Sequence, residues 1–353
     1  MQPIRVIVID DSAFMRKVIS DILESDNRIE VIATARNGED GLKKIKNLHP
    51  DVVTLDVHMP IKDGLTALRE IMRDNPVPVI MLSSVTEEGA AKTVEAISNG
   101  AVDFIMKPSG SISLNIATIK DEIIDKVIIA SKVILTETAE IVSIHKTALK
   151  QTASNLYNKT IIVVGTSTGG PRALQRLLTD LPSNLLAPIL IVQHMPPGFT
   201  KSLADRLNSL SNVYVKEAVQ GEIIKDNTAY IAPGNYHMKA KRVGTGLAIE
   251  LTKEDLLNGH RPAVDMLFES AATIQKVNKI AVILTGMGSD GAKGIKRMKE
   301  LDPGTVVIAE AEESAIVYGM PKAAVNTNCV NHVVPINNVG KMVINLMNRT
   351  EGN

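Results

Sequence analysis

The chain has 353 residues, of which 44% are apolar and 22% charged, and its 39 basic and 39 acidic residues cancel to a formal net charge of zero. This length predicts two domains, and the charge balance argues against a protein that mainly binds nucleic acid or anionic lipid. A single cysteine, Cys329, excludes an internal disulfide framework, and no apolar run reaches the roughly 18 residues that span a bilayer, so we expect a cytoplasmic protein without membrane insertion.

The first part of the chain, residues 1–135, alternates short β-branched runs with helical patterns. This alternation is typical of an α/β domain with a doubly wound, five-stranded parallel sheet. A long helical stretch from about Ser113 to Leu135 supplies the fifth helix and closes the unit. The predicted strands are Ile4–Ile9, Glu30–Ala35, Val52–Leu55, Val79–Leu82 and Asp103–Met106.

A second α/β series occupies residues 159–353, and residues 136–158 lose the strand pattern, which indicates an interdomain linker. We expect the second series to form another doubly wound, mostly parallel α/β domain. Its predicted strands are Thr160–Val164, Ile189–Val192, Thr228–Ile231, Leu247–Leu251, Ile280–Leu284 and Thr305–Ala309.

Acidic residues and a lysine follow successive strands of the first domain. Asp10 and Asp11 follow the first strand, Asp56 the third, Ser83 the fourth and Lys107 the fifth. Ligands of such sheets gather at the carboxyl ends of the strands, and three converging carboxylates suit a Mg²⁺ ion. Asp56 then has the chemistry of an acyl-phosphate acceptor, with Lys107 and Ser83 contacting the phosphoryl group.

Each acid taken alone has a simpler interpretation, because Asp11 or Ser12 could cap the following helix. The complete set, however, resembles a response-regulator receiver domain. The resemblance is carried by Asp10-Asp11, by Leu55-Asp56-Val57-His58-Met59-Pro60 with Asp63-Gly64, by Ser83-Ser84 and by Lys107-Pro108.

This resemblance implies that a histidine kinase phosphorylates Asp56 with the help of Mg²⁺ held by Asp10, Asp11 and Asp56. Phe104 matches the aromatic position that rotates on activation in such domains. His58 departs from the pattern, because a glutamate is expected at this position, and it leaves the acceptor intact.

A candidate nucleophile, Ser167, lies in a G-x-S-x-G turn between a strand and a helix of the second domain. His194 follows the next strand and is the candidate base, and Asp290 follows a later strand and is the candidate orienting carboxylate. The chain order Ser, His, Asp differs from that of α/β-hydrolases. A phosphate-binding or plain structural turn remains an alternative for the segment around Ser167.

The strongest rival is a dinucleotide site, because Gly286-x-Gly288-x-x-Gly291 follows a strand, opens the predicted helix Ala292–Leu301, and has Glu310 near the expected acidic position. Against this rival, Asp290 lies inside the glycine loop, where its carboxylate competes with a pyrophosphate for the same N–H groups.

The second domain as a whole resembles the catalytic domain of the protein-glutamate methylesterase (CheB) family. Within that resemblance, the backbone N–H of Met287 contributes to an oxyanion hole, and Thr168 assists there or orients the histidine. The similar segments are Thr168–Pro171, Gln193–Thr200, Ile231–Met238, His260–Asp265, Leu284–Gly291 and Gly319–Ala324.

The resemblance implies a phosphorylation-activated carboxylic ester hydrolase that removes γ-methyl esters from chemoreceptor glutamates and deamidates certain glutamines, for chemotactic adaptation. Methyl-accepting chemoreceptors and a histidine kinase are the expected partners, the chain is expected to be a monomer, and no cofactor is expected in the second domain. A receiver with a DNA-binding output and an inactive receptor-binding adaptor are the two alternatives.

Overall fold

The computed structural model divides the chain into two compact units, residues 1–135 and 136–353, and each is described by itself. The predicted linker at 136–158 lies outside the described residues, so its boundaries stay a prediction. The structure describes residues 2–84, 86–107, 116–133 and 159–351.

The strands of the first unit are β1 (Ile4–Ile9), β2 (Ile29–Ala35), β3 (Val52–Asp56), β4 (Val79–Ser83) and β5 (Asp103–Met106). Its helices are α1 (Ala13–Glu24), α2 (Gly38–Leu48), α3 (Gly64–Asp74), α4 (Glu87–Ser98) and α5 (Ile116–Ala130). The strands form one parallel sheet in the order β2-β1-β3-β4-β5. The order reverses between β1 and β3, so a crevice for ligands is expected at their carboxyl ends.

The strands of the second unit are β6 (Thr160–Thr166), β7 (Ile189–Gln193), β8 (Tyr214–Glu217), β9 (Thr228–Ile231), β10 (His237–Val243), β11 (Gly246–Thr252), β12 (Asn278–Ile283), β13 (Val306–Glu310) and β14 (His332–Val334). Its helices are α6 (Gly170–Thr179), α7 (Phe199–Leu210), α8 (Val264–Ala272), α9 (Ala292–Leu301), α10 (Met320–Val325) and α11 (Ile336–Glu351). Seven strands form a parallel sheet in the order β14-β13-β12-β6-β7-β9-β8, and β10 and β11 form a separate antiparallel hairpin.

The core of the second unit lies between its sheet and helices such as α8. Val264, Leu267, Phe268 and Ala271 recur at the three- and four-residue spacing of one helix face, and all four are fully buried. The central strands are buried on both faces, which explains why β6, β7 and β12 each contain a run of four apolar residues.

The predicted fold class is confirmed in both units, but three strands of the second unit, β8, β10 and β14, were not predicted. β8 and β14 are the two edge strands of the sheet; they have only four and three residues, and most of these residues are partly or fully exposed. The predicted strand Leu247–Leu251 exists, but it pairs in the hairpin rather than in the main sheet. The predicted fifth helix is α5, and residues 113–115 and 134–135 lie outside the described ranges.

The helices of the two units begin differently. Each of α1 to α4 is preceded by an N-cap residue whose own side chain accepts a backbone N–H, and at α1 this residue is Ser12 rather than Asp11. By contrast, the N-cap residues of α8 and α9 are Ala263 and Gly291, neither of which supplies a side-chain cap. The free N–H groups of these two helices therefore need acceptors from elsewhere in the fold.

None of the helices within the described ranges has the length and apolar character needed to cross a bilayer.

Candidate functional site

The site predicted in the second unit lies at the carboxyl ends of the adjacent parallel strands β12, β6 and β7. Ser167 directly follows β6, and His194 directly follows β7, where its N–H donates to Thr166 O at 3.2 Å. Asp290 ends the loop between β12 and α9. Because parallel strands end at a common edge, residues far apart in the chain meet there.

The turn at Ser167 is held by hydrogen bonds to both neighbouring strands. Ser167 N donates to Thr285 O at 3.1 Å, and Ser167 O accepts from Gln193 Nε2 at 2.9 Å and from Gly170 N at 2.8 Å. A Cβ atom at Gly170 would lie 2.0 Å from Gln193 Oε1, so this approach requires glycine. The backbone of the half-buried serine therefore has a fixed position.

His194 and Asp290 form a buried hydrogen-bonded pair. His194 Nε2 lies 2.8 Å from Asp290 Oδ2, and the two side chains are only 6% and 2% exposed. An ionised carboxylate only accepts, so Nε2 carries the proton of the neutral imidazole. His194 Nδ1 has no hydrogen-bond partner within the described part of the chain and is left as the acceptor nitrogen.

The Asp290 carboxylate also receives the N–H groups at the start of α8. Oδ2 accepts from Val264 N at 2.7 Å, and Oδ1 accepts from Asp265 N at 3.0 Å and from Gly291 N at 3.0 Å. Burial alone raises the pKa of the Asp290 carboxyl, but the hydrogen bond and charge of His194 and these backbone donors lower it well below its usual range. Asp290 is therefore an anion that α8 stabilises in place of the cap that Ala263 lacks.

Two residues that the sequence did not single out complete this cluster. Asn258 Nδ2 donates to Asp290 Oδ1 at 3.2 Å and to Asp265 Oδ2 at 3.0 Å, and Asp265 Oδ1 accepts from Gly294 N in α9 at 2.7 Å. Burial raises the pKa of the Asp265 carboxyl, and the charge of Asp290 raises it further. Asp265 ends the segment His260–Asp265 that carries the family resemblance, whereas Asn258 had no signal in the sequence beyond the nearby helix start without a capping side chain.

Glu310 and the glycine loop do not form the rival dinucleotide site. The Glu310 carboxylate is 1% exposed and accepts from Thr285 N at 2.7 Å and from the Ser314 hydroxyl at 3.0 Å, so it points into the protein. Burial raises the pKa of Glu310 to about 7, although the two hydrogen bonds that the carboxylate accepts act to lower it. Asp290 also accepts Gly291 N, so the acidic residue expected to bind a ribose and the N–H group at the start of α9 are both engaged inside the protein.

Thr168 and Met287 lie at the same edge of the sheet. Thr168 is buried and its carbonyl accepts from Thr285 Oγ1 at 2.9 Å, whereas Met287 is 42% exposed in the loop after β12. Their positions beside the Ser167 turn are compatible with the predicted oxyanion roles, and these roles stay predictions.

The first unit brings its predicted acidic residues together at the ends of β1 and β3. One carboxylate oxygen from each of Asp10, Asp11 and Asp56 lies within 4.8 Å of the other two, which is a donor set suited to a hard divalent cation. Lys107 Nζ lies 2.7 Å from Asp10 Oδ2 and 2.8 Å from Asp56 Oδ2. Asp10 and Asp56 are buried, and Asp11 is exposed.

The electrostatics of this cluster leave its negative charge incompletely balanced. Burial raises the pKa of Asp56, and the charge of Asp10 adds to this, while Lys107 opposes it only in part. Burial lowers the pKa of Lys107, but the hydrogen bonds that its ammonium group donates to Asp10 and Asp56, together with their charges, outweigh that effect and raise the pKa. A bound cation would relieve the repulsion between the carboxylates.

The other predicted residues of this site lie nearby, with their side chains engaged inside the unit. Ser83 Oγ is buried and accepts from Thr93 Oγ1 at 2.7 Å. Phe104 is 5% exposed, and Lys126 Nζ lies 5.1 Å from its ring centroid. His58 Nε2 lies 3.8 Å from a carboxylate oxygen of Glu88. The predicted phosphoryl-binding and switch roles of Ser83, Lys107 and Phe104 stay predictions, and Pro108 lies outside the described residues.

Comparisons with known proteins find one family model that matches within each unit. A family model described as CheB methylesterase matches residues 162–343, and one described as response regulator receiver domain matches residues 6–118. The chain is 56% identical to the protein-glutamate methylesterase/protein-glutamine glutaminase of Oceanobacillus iheyensis over 348 residues, which cover 98% of this chain and 99% of that protein.

Two further relatives agree with these matches. The protein of the same name from Bacillus subtilis is 47% identical over 349 residues, covering 96% of this chain and 97% of that protein. The crystal structure of the Thermotoga maritima CheB methylesterase catalytic domain is 47% identical and has a TM-score of 0.52, covering 54% of this chain and 99% of that one.

Replacement of Gly286 by alanine is expected to displace the serine turn. The new Cβ would lie 2.8 Å from Ser167 Cβ and 2.4 Å from Met320 Sδ. We expect labelling of Ser167 by a fluorophosphonate to slow at least about tenfold, because displacing a reacting group costs rate steeply. Gly246→Ala is the matched control, since its Cβ has no neighbour closer than 3.8 Å. Equal labelling rates for the two variants would contradict the prediction.

Replacement of Glu310 by glutamine is expected to flatten the pH dependence of stability. The pKa of Glu310 is about 7 in the folded chain against an ordinary value of 4.5, so between these values the folded state holds a proton that the unfolded state has released. The free energy of unfolding therefore falls as pH rises through that window, by up to about 3 kcal/mol. Glu310→Gln removes this loss.

Denaturant unfolding of the full chain at pH 5 and pH 8 measures the effect, with exposed Glu312→Gln as the control. Glu310→Gln should be more stable than the parent chain at pH 8 and close to it at pH 5. A variant that loses as much stability as the parent between the two pH values would show that Glu310 is ionised in both states.

Proposed function

This chain belongs to the CheB methylesterase family and carries a response regulator receiver domain in its first unit, and from that premise we propose that it hydrolyses glutamate γ-methyl esters on chemoreceptors in chemotactic adaptation. The observation that supports this most is the buried His194–Asp290 pair beside the Ser167 turn. A serine is a weak nucleophile without an adjacent base, and this pair supplies a base in a defined tautomer.

In the proposed reaction, Ser167 Oγ attacks the ester carbonyl and its proton passes to His194 Nδ1. The imidazolium that forms keeps its Nε2–H on the Asp290 carboxylate, whose lowered pKa keeps that carboxyl ionised. The proton on Nδ1 then goes to the leaving methoxide, which departs as methanol. Water attacks the resulting acyl-enzyme with His194 again acting as base, which releases the receptor glutamate as a γ-carboxylate and regenerates the Ser167 hydroxyl.

Stabilisation of the oxyanion is assigned to backbone N–H groups beside the serine, with Thr168 and Met287 as the proposed contributors. The turn precedes α6, so the positive end of that helix dipole faces the same region. The same acyl chemistry accounts for glutamine deamidation, the second activity in the relatives' name, because only the leaving group changes from methanol to ammonia.

For the first unit we propose that Asp56 accepts a phosphoryl group from a histidine kinase and that this raises the esterase activity. Asp10, Asp11 and Asp56 would hold Mg²⁺, which when bound neutralises charge on the phosphoryl oxygens. Lys107 pairs with the phosphoryl group as a point charge, Ser83 donates to it, and Phe104 responds to activation.

We also propose the domain boundaries 1–135, 136–158 and 159–353 and a monomeric enzyme. A chain that begins at Lys159 should hydrolyse the ester faster than the full chain without phosphodonor, because the unphosphorylated first domain is proposed to inhibit the second. An equal or lower rate would contradict inhibition.

Replacement of Ser167 by alanine tests the nucleophile. We expect methanol release from a methylated receptor to fall at least about 10³-fold, while receptor binding is retained, because the group that forms the acyl-enzyme is lost. Ser209→Ala, an exposed serine in α7, is the matched control and should retain the parent rate. Asp290→Asn tests the triad less specifically. Its amide NH2 group would face a backbone N–H that a carboxylate oxygen now accepts, so the variant would also disturb the start of α8.

Replacement of Asp56 by asparagine tests the switch. Addition of a small-molecule phosphodonor with Mg²⁺ should raise methanol release by the parent chain and leave that by Asp56→Asn at its starting rate, because an amide does not form the acyl phosphate. Asp21→Asn, an exposed carboxylate in α1 paired with Lys17, should still be stimulated. Stimulation of Asp56→Asn equal to that of the parent would exclude Asp56 as the acceptor.

A further inference from the structure

We propose that His260 is a positioning residue for His194 and that it sets the pH range in which His194 acts as a base. The two imidazole rings stack with their centroids 3.9 Å apart and their planes inclined by 12°. The proposal rests on the function proposed above, because it assigns a role in the same reaction. No role is predicted for His260 from its place in the sequence, since it follows no strand of the main sheet.

The stacking contact supplies a constraint that the hydrogen bond to Asp290 lacks. That bond holds one atom of the ring, Nε2, at 2.8 Å and leaves the ring free to tilt about it. A second ring in parallel contact fixes the plane, and therefore the direction in which Nδ1 points. It also covers one face of a side chain that is only 6% exposed. Stacked rings in such contact favour one orientation.

His260 can do this because its loop is anchored on the same cluster. Leu257 and His260 exchange two backbone hydrogen bonds at 3.1 and 3.0 Å, which closes a tight turn. Within the turn, the Asn258 side chain bonds Asp290 and Asp265. The position of the exposed His260 ring is thus tied to the carboxylate that orients His194.

Arg261 fixes the other end of this turn. Its guanidinium donates to Asn235 Oδ1 at 2.6 Å and to Glu254 O at 2.8 Å. Both flanks of His260 are therefore held by side-chain hydrogen bonds, one to the carboxylate cluster and one to the neighbouring loops.

The contact also couples the charges of the two rings. His194 becomes an imidazolium during each proton transfer, and two imidazoliums at 3.9 Å would repel, so protonation of His260 opposes protonation of His194. Asp290 is bonded to His194 Nε2, and Asp265 is linked to Asp290 through the Asn258 amide, while Arg261, which follows His260 in the chain, donates to Asn235 and Glu254.

The test compares His260→Ala with His260→Phe in the full chain, using methanol release from a methylated receptor. His260→Ala should lower kcat about 3- to 10-fold with KM changed less than twofold, because the ring contact is lost. His260→Phe restores a stacking ring and should recover most of kcat. Leu256→Ala, which truncates an exposed side chain of the same loop, is the matched control and should retain the parent kcat.

The pH profile separates positioning from a merely structural role. Phenylalanine stacks but carries no charge, so the acid limb of kcat for His260→Phe should move to higher pH than in the parent chain. Unchanged kcat in His260→Ala, no recovery in His260→Phe, or a change confined to KM would each overturn the proposal. The last of these would make His260 a substrate contact.

A titration of the His194 ring protons by NMR reads the coupling without substrate. The His194 signal should titrate with a higher midpoint in His260→Phe than in the parent chain, and identical midpoints would overturn the coupling. If the parent chain released no more methanol than Ser167→Ala, the proposed function would fail, while this titration would still decide the contact between the rings.

Discussion

The second unit depends on one interaction, the binding of the Asp290 carboxylate by the N-terminus of α8. A buried carboxylate is costly unless its oxygens are satisfied, and here three backbone N–H groups, Asn258 and His194 all donate to it. The same contact supplies the cap that Ala263 does not. The ionised Asp290 carboxylate thus caps α8, fixes the loop after β12 and orients the His194 imidazole.

The capping is reciprocal, and this makes the arrangement stiff. Asp290 immediately precedes the N-cap of α9 and caps α8, while Asp265 in the first turn of α8 accepts from Gly294 in α9. Each helix therefore holds the other's first turn, and Asn258 bridges the two carboxylates. The catalytic pair proposed for this unit is set on the junction of two packed helices, which limits the motion that would misalign it.

Strand ends were predictable from the sequence, and the contacts between loops were not. Apolar runs bounded by polar residues predict parallel strands, and the shared edge of a parallel sheet then predicts that Ser167 and His194 meet. Asn258, Asp265 and His260 lie on a turn and a helix start whose positions depend on tertiary contacts, so spacing along the chain carries no signal for them. The edge strands β8 and β14 were missed because they have only four and three residues, which is too short to show a strand pattern.

The two sites use carboxylates at the same kind of sheet edge with opposite electrostatics, and this difference separates their chemistry. Asp290 is saturated with donors and its pKa is lowered, so it is a poor nucleophile or base and a good orienting anion. Asp56 shares a single lysine with Asp10, and its pKa is raised. Its oxygens are therefore left with capacity for a cation and a phosphoryl group. Saturation of one carboxylate and under-compensation of the other follow from what each strand end faces, a helix N-terminus in one unit and other acids in the other.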